Sequence, residues 1–438
     1  MKIPSETKLP PGPGAIPLLQ LAGWIRGVTP LLEECQLRYG DVFTLRLPVF
    51  GTFVVFSASD HIREILRTPA SAYDDGGPYS FFAQAFGPES VQALTDEPHR
   101  RERALISPHL HGERMCRWGD RIRAAAERNL ERVPKATPVP LLPLIENIAF
   151  EVAAALAMGV PPGPRTQHLL GHLRRARHPM IDVLMRRLFS GNSPNPGRAD
   201  VLQAIASEML RRRSASDPEL PREDMLDVFL QARAPDGRPM PDSQIQAEVL
   251  TVLIAGYSSV AAATTWAIAL ILDHPGVRER IEAELAASGK ADLTGNGFDY
   301  LDAAIKESLR IRPLVPMIFR RLAEPRKVGG HSLPAGVTLA PCIHLAHLRD
   351  DIWTDPKHFL PERFLENGAA DRNAWLPFGG GHRHCIGASF ALMEMRIIVA
   401  TVLTGPTLQL ANRLALSTLL SRNRFTRAPS KELRVVIG

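Results

Sequence analysis

The chain has 438 residues, of which 45% are hydrophobic and 22% are charged. This composition is that of an ordinary globular protein with ample apolar material for a core, and it excludes a mainly disordered chain. The net charge is +6, but the basic residues are scattered among acidic ones and only 6% of residues are aromatic, so nucleic acid is not an expected partner. The four cysteines, Cys35, Cys116, Cys342 and Cys385, show no C-x-x-C spacing. This argues against a disulfide framework or a structural zinc site and favours a reducing cytoplasm.

The chain begins with a short polar stretch and a proline-rich segment. Residues 1–7 are too few for a signal peptide or a membrane anchor, and residues 9–14, Leu-Pro-Pro-Gly-Pro-Gly, form a stiff entry. We therefore expect an N-terminal entry segment over residues 1–14 and a soluble protein without a membrane anchor. Apolar residues at helical spacing then predict a helix around Leu18 to Tyr39.

Two alternating runs follow and predict a small β-hairpin. They are Val42 to Leu47 and Phe53 to Phe56, and Pro48 and Gly51 separate them. Ser59-Asp60 is then expected to cap another short helix.

The next stretch, residues 76–90, is irregular and rich in aromatic residues. It contains Tyr79, Phe81, Phe82 and Phe86. The aromatic rings could pin the loop to the core, or they could line an apolar ligand pocket. We name Phe81, Phe82 and Phe86 as candidate pocket residues, and both interpretations stay open.

His99 and Arg103 lie four residues apart in a charged run, so a helix places both side chains on one face. Two cationic groups on one face suit an anion. A solvated basic surface explains the same spacing equally well.

From Arg114 to Arg213 the pattern is helical, and no strand pattern appears. Clusters of proline and glycine at residues 134–140, 161–164 and 191–197 predict the connections between these helices. The last cluster is also a candidate lid.

A long apolar helix is predicted from an apparent capping box at Ser243–Gln246 to His274. Residues 249–272 carry no charge, so a transmembrane helix has to be considered. The span is single, lies in mid-chain, has Tyr257-Ser258-Ser259 at its middle and lacks a basic flank. We therefore interpret it as a helix buried through the centre of the protein.

Further elements follow in the C-terminal half. A helix is predicted from Val277 to Leu285 and a hairpin around Ser332 to Ala340. Glu307 and Arg310 are three residues apart and can pair on one helical face, although such a pair alone indicates no function.

The most specific stretch is residues 378–387, Phe-Gly-Gly-Gly-His-Arg-His-Cys-Ile-Gly. Three glycines let the backbone approach a bulky group closely, and the apolar residues that follow recur at helical spacing until Gly405. The amides at the start of that helix and the basic residues His382, Arg383 and His384 favour a thiolate at Cys385. Cys385 is therefore predicted to be an anionic ligand, and a buried structural cysteine is the alternative.

This stretch matches the pattern Phe-x-x-Gly-x-Arg-x-Cys-x-Gly and resembles the haem-ligand loop of the cytochrome P450 family. The resemblance implies that the cofactor is haem b, iron protoporphyrin IX, with Cys385 as the axial ligand of the iron. It also implies that Phe378, Arg383 and Gly387 lie at the cofactor. A cysteine ligand donates electron density through the iron and favours O–O cleavage.

The resemblance extends over nearly the whole chain and implies a fold. That fold is mainly α with a small β-rich part, and the haem lies between the long central helix and the helix after the cysteine. Residues 15–438 are then expected to form a single catalytic domain.

Several residues acquire roles from the resemblance. His99, Arg103, Arg320 and Arg383 match cations that hold the haem propionates, and Arg320 stands four residues before Glu324. A second set is structural: Glu307, Arg310 and Arg363, the last within Pro-Glu-Arg-Phe, are expected to form a buried ion cluster. The substrate pocket is implied at Ala255, Val315 and Met317, in addition to the aromatic residues above. The lid is implied at residues 191–197.

Residues 255–259, Ala-Gly-Tyr-Ser-Ser, combine small and hydroxyl side chains and predict a local widening of the helix. They resemble the family's oxygen-binding kink, Ala-Gly-x-acid-Thr, but Ser258 replaces the acid and Ser259 the threonine. We assign Ser258 and Ser259 as catalytic. A serine hydroxyl is too weakly acidic to supply protons as a carboxylic acid does. Water ordered by the serines or a polar group of the substrate is expected to complete the relay; otherwise the serines simply pack and bulk water delivers protons.

The function implied is a monooxygenase that inserts one oxygen atom of O2 into an apolar small molecule of fatty-acid, terpenoid or polyketide type, as in secondary metabolism. Residues 378–403 and 111–115 look closest to bacterial members that act on fatty acids and terpenoids. Electrons are expected from NAD(P)H through a ferredoxin or flavoprotein, which a positive patch of His382, His384 and Arg372 would attract. We expect a cytoplasmic monomer. The alternatives are a haem-thiolate enzyme that uses peroxide, isomerises or dehydrates, and a non-catalytic haem-binding protein.

Overall fold

The structure is a computed structural model. It describes residues 9–48, 50–74, 82–83, 85–176, 196–214, 224–234, 236–289, 292–365, 374–411 and 428–438. The predicted pocket residue Phe81, the patch residue Arg372 and most of the candidate lid lie outside these ranges.

Helices account for most of the regular structure in the described ranges, which confirms the mainly α fold. They are α1 (Pro17–Arg26), α2 (Val28–Tyr39), α3 (Ser59–Arg67), α4 (Asp96–Ile106), α5 (Gly112–Cys116), α6 (Gly119–Glu131), α7 (Leu141–Met158), α8 (Pro164–Ala176), α9 (Pro196–Ser214), α10 (Met225–Gln231), α11 (Asp242–Asp273), α12 (Pro275–Ser288), α13 (Asp299–Ile311), α14 (Ile343–Ala346) and α15 (Ala388–Thr404). The strands are β1 (Val42–Leu47), β2 (Gly51–Phe56), β3 (Val139–Pro140), β4 (Arg320–Arg321), β5 (Arg326–Val328), β6 (His331–Leu333), β7 (Thr338–Pro341), β8 (Leu408–Leu410) and β9 (Arg434–Ile437).

The chain folds into two compact units. Unit 1 comprises Met1–Tyr79, Asp302–Cys385 and Leu420–Ala428, and unit 2 comprises Ser80–Leu301, Ile386–Leu419 and Pro429–Gly438. The single catalytic domain over residues 15–438 stays a prediction.

Unit 1 contains a four-stranded sheet in the order β1-β2-β7-β4. Strands β1 and β2 pair antiparallel, which confirms the first predicted hairpin. The hairpin expected around Ser332 to Ala340 is wrong. Strand β6 pairs antiparallel with the preceding strand β5 through a turn at Gly329 and Gly330, while β7 pairs parallel with β2. Both glycines have positive φ, 54° and 81°, which suits the tight turn of the β5–β6 hairpin, whereas the turn at Ala335-Gly336 does not pair β6 with β7.

Unit 2 is organised around α11, which packs on α7, α9 and α15, while α6 packs on α7 and α15. Most residues of α11 are buried, which confirms the predicted central buried helix. A small sheet, β3-β9-β8, also belongs to this unit. Its two-residue strand β3 corrects the expectation of no strand between Arg114 and Arg213, because two residues are too few to produce an alternating pattern.

Three local expectations at helix ends need correction. The helix expected around Leu18 to Tyr39 is two helices that meet at Gly27, and Pro30 lies in the first turn of the second, where its missing N–H costs nothing. The expected caps at Ser59 and Ser243 are wrong, since Ala58 and Pro241 hold the cap positions without a side-chain hydrogen bond.

Among the described residues, two helices are long and apolar enough to cross a membrane, α7 and α11. In their most apolar windows, 83% and 72% of the residues are buried inside the protein. Core helices pass the same test, so this burial favours a role in the core.

Candidate functional site

The predicted ligand Cys385 ends a glycine-rich loop in unit 1, residues 378–385, which we call the Cys385 loop. The Cys385 side chain is exposed, and its backbone N–H donates to the carbonyl oxygen of Phe378 at 3.0 Å. A Cβ added to Gly380 would come within 2.7 Å of Cδ1 of Leu66, and one on Gly381 within 2.8 Å of the Leu66 carbonyl oxygen. The glycines therefore let the loop lie directly against α3.

The remaining cysteines are less accessible. Cys35 and Cys342 are buried and Cys116 is half-buried. Burial raises the pKa of Cys35 to about 11, with a smaller contribution from Glu34, so this thiol stays protonated at neutral pH. All four cysteines are described, and Cys385 is the exposed one.

Two of the predicted haem-binding cations belong to or contact the Cys385 loop. Arg320 is 1% exposed, and its guanidinium donates to the carbonyl oxygens of Phe319 at 2.8 Å and Gly380 at 2.9 Å. Arg383 is half-buried in a short 3-10 turn, Gly381–Arg383. The loop is thus held against a buried positive charge.

The other two predicted cations lie on α4 in unit 2. His99 is 5% exposed and Arg103 is half-buried, and the helix predicted for them is confirmed. Gly387 belongs to the same unit and caps the start of α15, where its carbonyl oxygen accepts the Ala391 N–H at 2.8 Å.

The expected ion cluster is present and completely buried at its centre. Arg310 donates to both carboxylate oxygens of Glu307, at 2.7 Å and 2.8 Å, and both residues are 0% exposed. Nε of Arg363 donates to the same carboxylate at 3.0 Å. The Leu360 N–H adds another hydrogen bond of 3.0 Å, so the buried charge is well satisfied.

His347 belongs to this cluster, and sequence reasoning missed it. Its Nδ1 lies 3.0 Å from the Arg310 carbonyl oxygen, and its Nε2 accepts the Leu376 N–H at 2.8 Å. Its partners lie 37 and 29 residues away along the chain, so no local pattern marks it.

Ser258 and Ser259 lie in the middle of α11. Their hydroxyls donate to the carbonyl oxygens of Ile254 at 3.0 Å and Ala255 at 2.7 Å, one turn earlier. The helix is continuous from residue 242 to residue 273, so the predicted widening is not observed. The serine hydroxyls bond to carbonyls within the intact helical turn instead of opening it.

The middle of α11 is less buried than the rest of the helix. Val252, Ala255, Gly256 and Ser259 are half-buried, as are their neighbours Ile254 and Ser258, whereas Thr251, Leu253, Tyr257 and Val260 are buried. The spacing of Val252, Ala255, Gly256 and Ser259, by three, four and seven residues, places them on one face. We call these four residues the accessible stripe.

Unit 2 also contains buried acids that sequence reasoning missed. Glu248 on α11 is 0% exposed and accepts the Val91 N–H at 2.6 Å through Oε1. Burial, with the charge of Glu102 as a smaller cause, raises its pKa to about 8. Burial also raises the pKa of Glu102, which is 2% exposed, against the opposing charge of Arg101. A glutamate in the sequence gives no sign that the fold buries its side chain.

The predicted pocket residues are placed differently from one another. Phe82 is half-buried and Phe86 is 8% exposed, with ring centroids 5.9 Å apart. Val315 is half-buried and Met317 is 1% exposed, so Val315 retains more surface for a ligand. Phe378 is half-buried beside Trp375, with ring centroids 6.0 Å apart. Their roles stay predictions.

The comparison with protein families decides the identity. The family model described as cytochrome P450 matches residues 10–431. The chain belongs to the cytochrome P450 family. Membership makes it an oxygen-incorporating oxidoreductase and implies haem as its cofactor.

Relatives of this P450 support the assignment. Cytochrome P450 135B1 of Mycobacterium tuberculosis is 33% identical over 413 residues, which cover 91% of this chain and 85% of that protein. Cytochrome P450 135A1 of the same organism is 28% identical over 428 residues, with coverages of 96% and 93%. The solved structure of retinoic acid-bound cyanobacterial CYP120A1 has a TM-score of 0.86 and 25% identity, and the match covers 99% of this chain and 100% of that one.

The residues of this P450 fit a haem group. Haem needs an axial ligand for iron and cations for two carboxylates, which are costly to bury without a partner. The Cys385 loop provides an exposed thiol, and positive charge comes from Arg383 on this loop and from the buried Arg320, which donates to Gly380 of the loop. The donor chemistry is therefore that of a haem-thiolate site.

Proposed function

We propose that the protein is a haem-thiolate monooxygenase with Cys385 as the axial ligand of the iron. The observation that carries the proposal is the thiol itself: Cys385 is exposed on a glycine-rich loop, whereas the other three cysteines are buried or half-buried. When bound, haem with a cysteine ligand supplies the iron centre at which O2 is activated.

The cations of the chain hold the haem carboxylates in this proposal. The residues that we assign to them are Arg320, Arg383, His99 and Arg103. Charge-assisted hydrogen bonds from guanidinium groups are well suited to carboxylates, and the burial of Arg320 strengthens its contribution.

In this proposal the serines of α11 help to order water and to deliver protons. Ser259 belongs to the accessible stripe; its hydroxyl donates to the Ala255 carbonyl oxygen at 2.7 Å and keeps lone pairs that can accept a hydrogen bond from water. Ser258 cannot replace a carboxylic acid as a proton source, so ordered water or a polar group of the substrate completes the relay.

The substrate class that we propose is an apolar small molecule of fatty-acid, terpenoid or polyketide type. Three of the four residues in the accessible stripe, Val252, Ala255 and Gly256, are apolar or small and suit such a ligand. The retinoic acid bound by CYP120A1, a terpenoid acid, supports the same class. A spectral binding screen of lipids, terpenes and polyketides tests it.

Electron supply and setting complete the proposal. We propose that electrons from NAD(P)H arrive through a ferredoxin or flavoprotein. Positive charge around His382 and His384 attracts this partner. Electron-transfer rates that stay constant as ionic strength rises would contradict this docking mode. We also propose a cytoplasmic monomer, which size-exclusion chromatography and cell fractionation test.

A second candidate is a haem-thiolate enzyme that uses peroxide. The serine at position 258, where an acid is usual, favours it, because peroxide already carries the protons that O2 activation consumes. Turnover with NAD(P)H and a reductase separates the two: the monooxygenase turns over steadily, whereas the peroxide enzyme turns over only when peroxide is added.

The ligand assignment is tested with Cys385→His. The unmodified protein should give the red-shifted thiolate band in its reduced carbon-monoxide complex, and the variant should lose it because imidazole replaces sulfur. Cys116→Ser, at a half-buried cysteine, is the matched control and should keep the band. A Cys385→His protein that retains the band refutes the assignment.

A further inference from the structure

His347 lies in the core of unit 1 and connects two segments that are far apart in sequence. Its side chain is 0% exposed. Nδ1 is 3.0 Å from the carbonyl oxygen of Arg310, and Nε2 accepts a hydrogen bond of 2.8 Å from the backbone N–H of Leu376. The ring therefore joins the end of α13 to the segment that leads into the Cys385 loop.

The two hydrogen bonds determine the protonation of the ring. A backbone N–H only donates, so Nε2 carries the lone pair, and a carbonyl oxygen only accepts, so Nδ1 carries the proton. Burial, with the charge of Arg310 as the next cause, lowers the pKa of His347 to about 3. The ring is therefore neutral at physiological pH, in the one tautomer that satisfies both partners.

The histidine is itself held firmly in place. Nη1 of Arg310 donates to the backbone carbonyl oxygen of His347 at 2.6 Å, so the two residues bond to each other in both directions. Arg310 is fixed in turn by its two hydrogen bonds to Glu307. His347 thus extends the rigidity of the buried ion cluster.

The segment that His347 contacts is adjacent to the ligand loop. Leu376 is two residues before Phe378, whose carbonyl oxygen accepts the Cys385 N–H at 3.0 Å. The neighbouring Trp375 donates through Nε1 to the Lys306 carbonyl oxygen on α13 at 3.1 Å. Two consecutive residues are therefore hydrogen-bonded to other segments immediately before the loop begins.

We propose that His347 is a positioning residue for the thiolate, and that it acts by accepting the Leu376 N–H and so fixing the start of the Cys385 loop. Its role rests on the proposed function, in which Cys385 is the ligand. A residue that orients a metal ligand through a hydrogen bond does not contact the metal itself, but it changes how the ligand holds the metal. The ion cluster then affects the cofactor through one identifiable hydrogen bond.

Two conservative variants separate the two hydrogen bonds of the ring. The amide of glutamine reaches the position of Nε2, so His347→Gln can still accept the Leu376 N–H. The shorter amide of asparagine reaches only the position of Nδ1, so His347→Asn keeps a donor for Arg310 but loses the acceptor. His344→Gln is the matched control, because His344 lies three residues earlier in α14 and is 3% exposed, but it bonds to Glu33, remote from the loop in sequence.

The first measurement is hydrogen exchange of the peptide that contains Leu376, in the haem-loaded proteins. We expect exchange at this amide to be about tenfold faster in His347→Asn, because its buried acceptor is gone, and nearly unchanged in His347→Gln and His344→Gln. Equal exchange in His347→Asn and His347→Gln would overturn the proposal.

The second measurement is the loss of the red-shifted thiolate band of the reduced carbon-monoxide complex under mild urea. The band should disappear about tenfold faster in His347→Asn than in His347→Gln and the control. If His347→Asn does not fold, His347→Gln decides: a stable band supports the proposal, and a lost band refutes it. If Cys385 were not the ligand, the unmodified protein would itself lack the band, so the two failures are distinguishable.

Discussion

The buried acid Glu248 provides a prediction in which the sign and size of the effect follow from the structure. Its pKa is raised from 4.5 to about 8 in the folded protein, chiefly by burial. Between these values the folded protein holds a proton that the unfolded chain has released. The contribution of Glu248 to stability is therefore greatest below pH 4.5, falls as the pH rises towards 8 and then levels off.

The size of this effect follows from the shift. At about 1.36 kcal/mol per pKa unit, the difference between 4.5 and about 8 corresponds to at most about 5 kcal/mol of unfolding free energy. Glu102 contributes to the shift through its like charge, so part of this cost belongs to the pair and not to Glu248 alone.

Glu248→Gln is the matching perturbation. Glutamine has the shape of the protonated acid and can still accept the Val91 N–H, but it does not ionise. We expect the variant to lose most of the fall in unfolding free energy between pH 5 and pH 8, and to gain stability over the unmodified protein at the upper end. Glu102→Gln should also reduce the fall, because it removes the raised pKa of Glu102 itself as well as the like charge beside Glu248.

Urea unfolding followed by circular dichroism at several pH values measures the effect. Glu284→Gln is the control, since Glu284 also accepts backbone hydrogen bonds, from the N–H groups of Tyr300 and Leu301, but is only half-buried. Its profile should still fall between pH 5 and pH 8, because Glu248 is intact. If Glu248→Gln and the unmodified protein show the same decline, the attribution of the pKa shift to burial is refuted.

Two further predictions concern the proposed site. Arg320→Gln should lower haem retention on a desalting column by removing a buried cation, whereas Arg321→Gln, at a half-buried neighbour, should retain haem normally; equal retention in the two proteins would contradict the propionate assignment. Ser259→Ala should lower the product formed per NAD(P)H and raise hydrogen peroxide, because the relay loses its hydroxyl. Thr265→Ala removes the same kind of hydroxyl-to-carbonyl bond from a buried position of α11 and should leave the ratio unchanged, so a similar loss in both would exclude a specific role for Ser259.

Local spacing predicts those features that adjacent residues determine. Glu307 and Arg310 are three residues apart on a helix, and the structure shows them paired. Arg363 comes from a turn more than 50 residues later and could be added only through the resemblance to a known family. The pair was therefore accessible to physical reasoning, whereas the complete cluster was not.

Contacts between distant segments account for most of what sequence reasoning missed. The glycines of the Cys385 loop were expected to approach something bulky, but nothing in the sequence identified that neighbour as Leu66. His347 carries no local signal, because its two hydrogen-bond partners are brought to it only by the fold. The cap at Ser243 is wrong for a local reason: the helix begins at Asp242 with Pro241 at the cap position, so Ser243 lies inside its first turn.

The accessible stripe of α11, which we propose to contact the substrate, could not be predicted from the sequence either. Hydropathy predicts a helix buried all round, and most of α11 is buried, yet Val252, Ala255, Gly256 and Ser259 remain half-buried. Hydropathy and periodicity do not distinguish an apolar residue that packs against another helix from one that faces open space, because both fit the same apolar pattern. What distinguishes them is the surface that the neighbours leave uncovered. Substitutions that alter substrate choice should therefore cluster on this stripe, and equally apolar positions on the packed side of α11, such as Leu253, should affect stability instead.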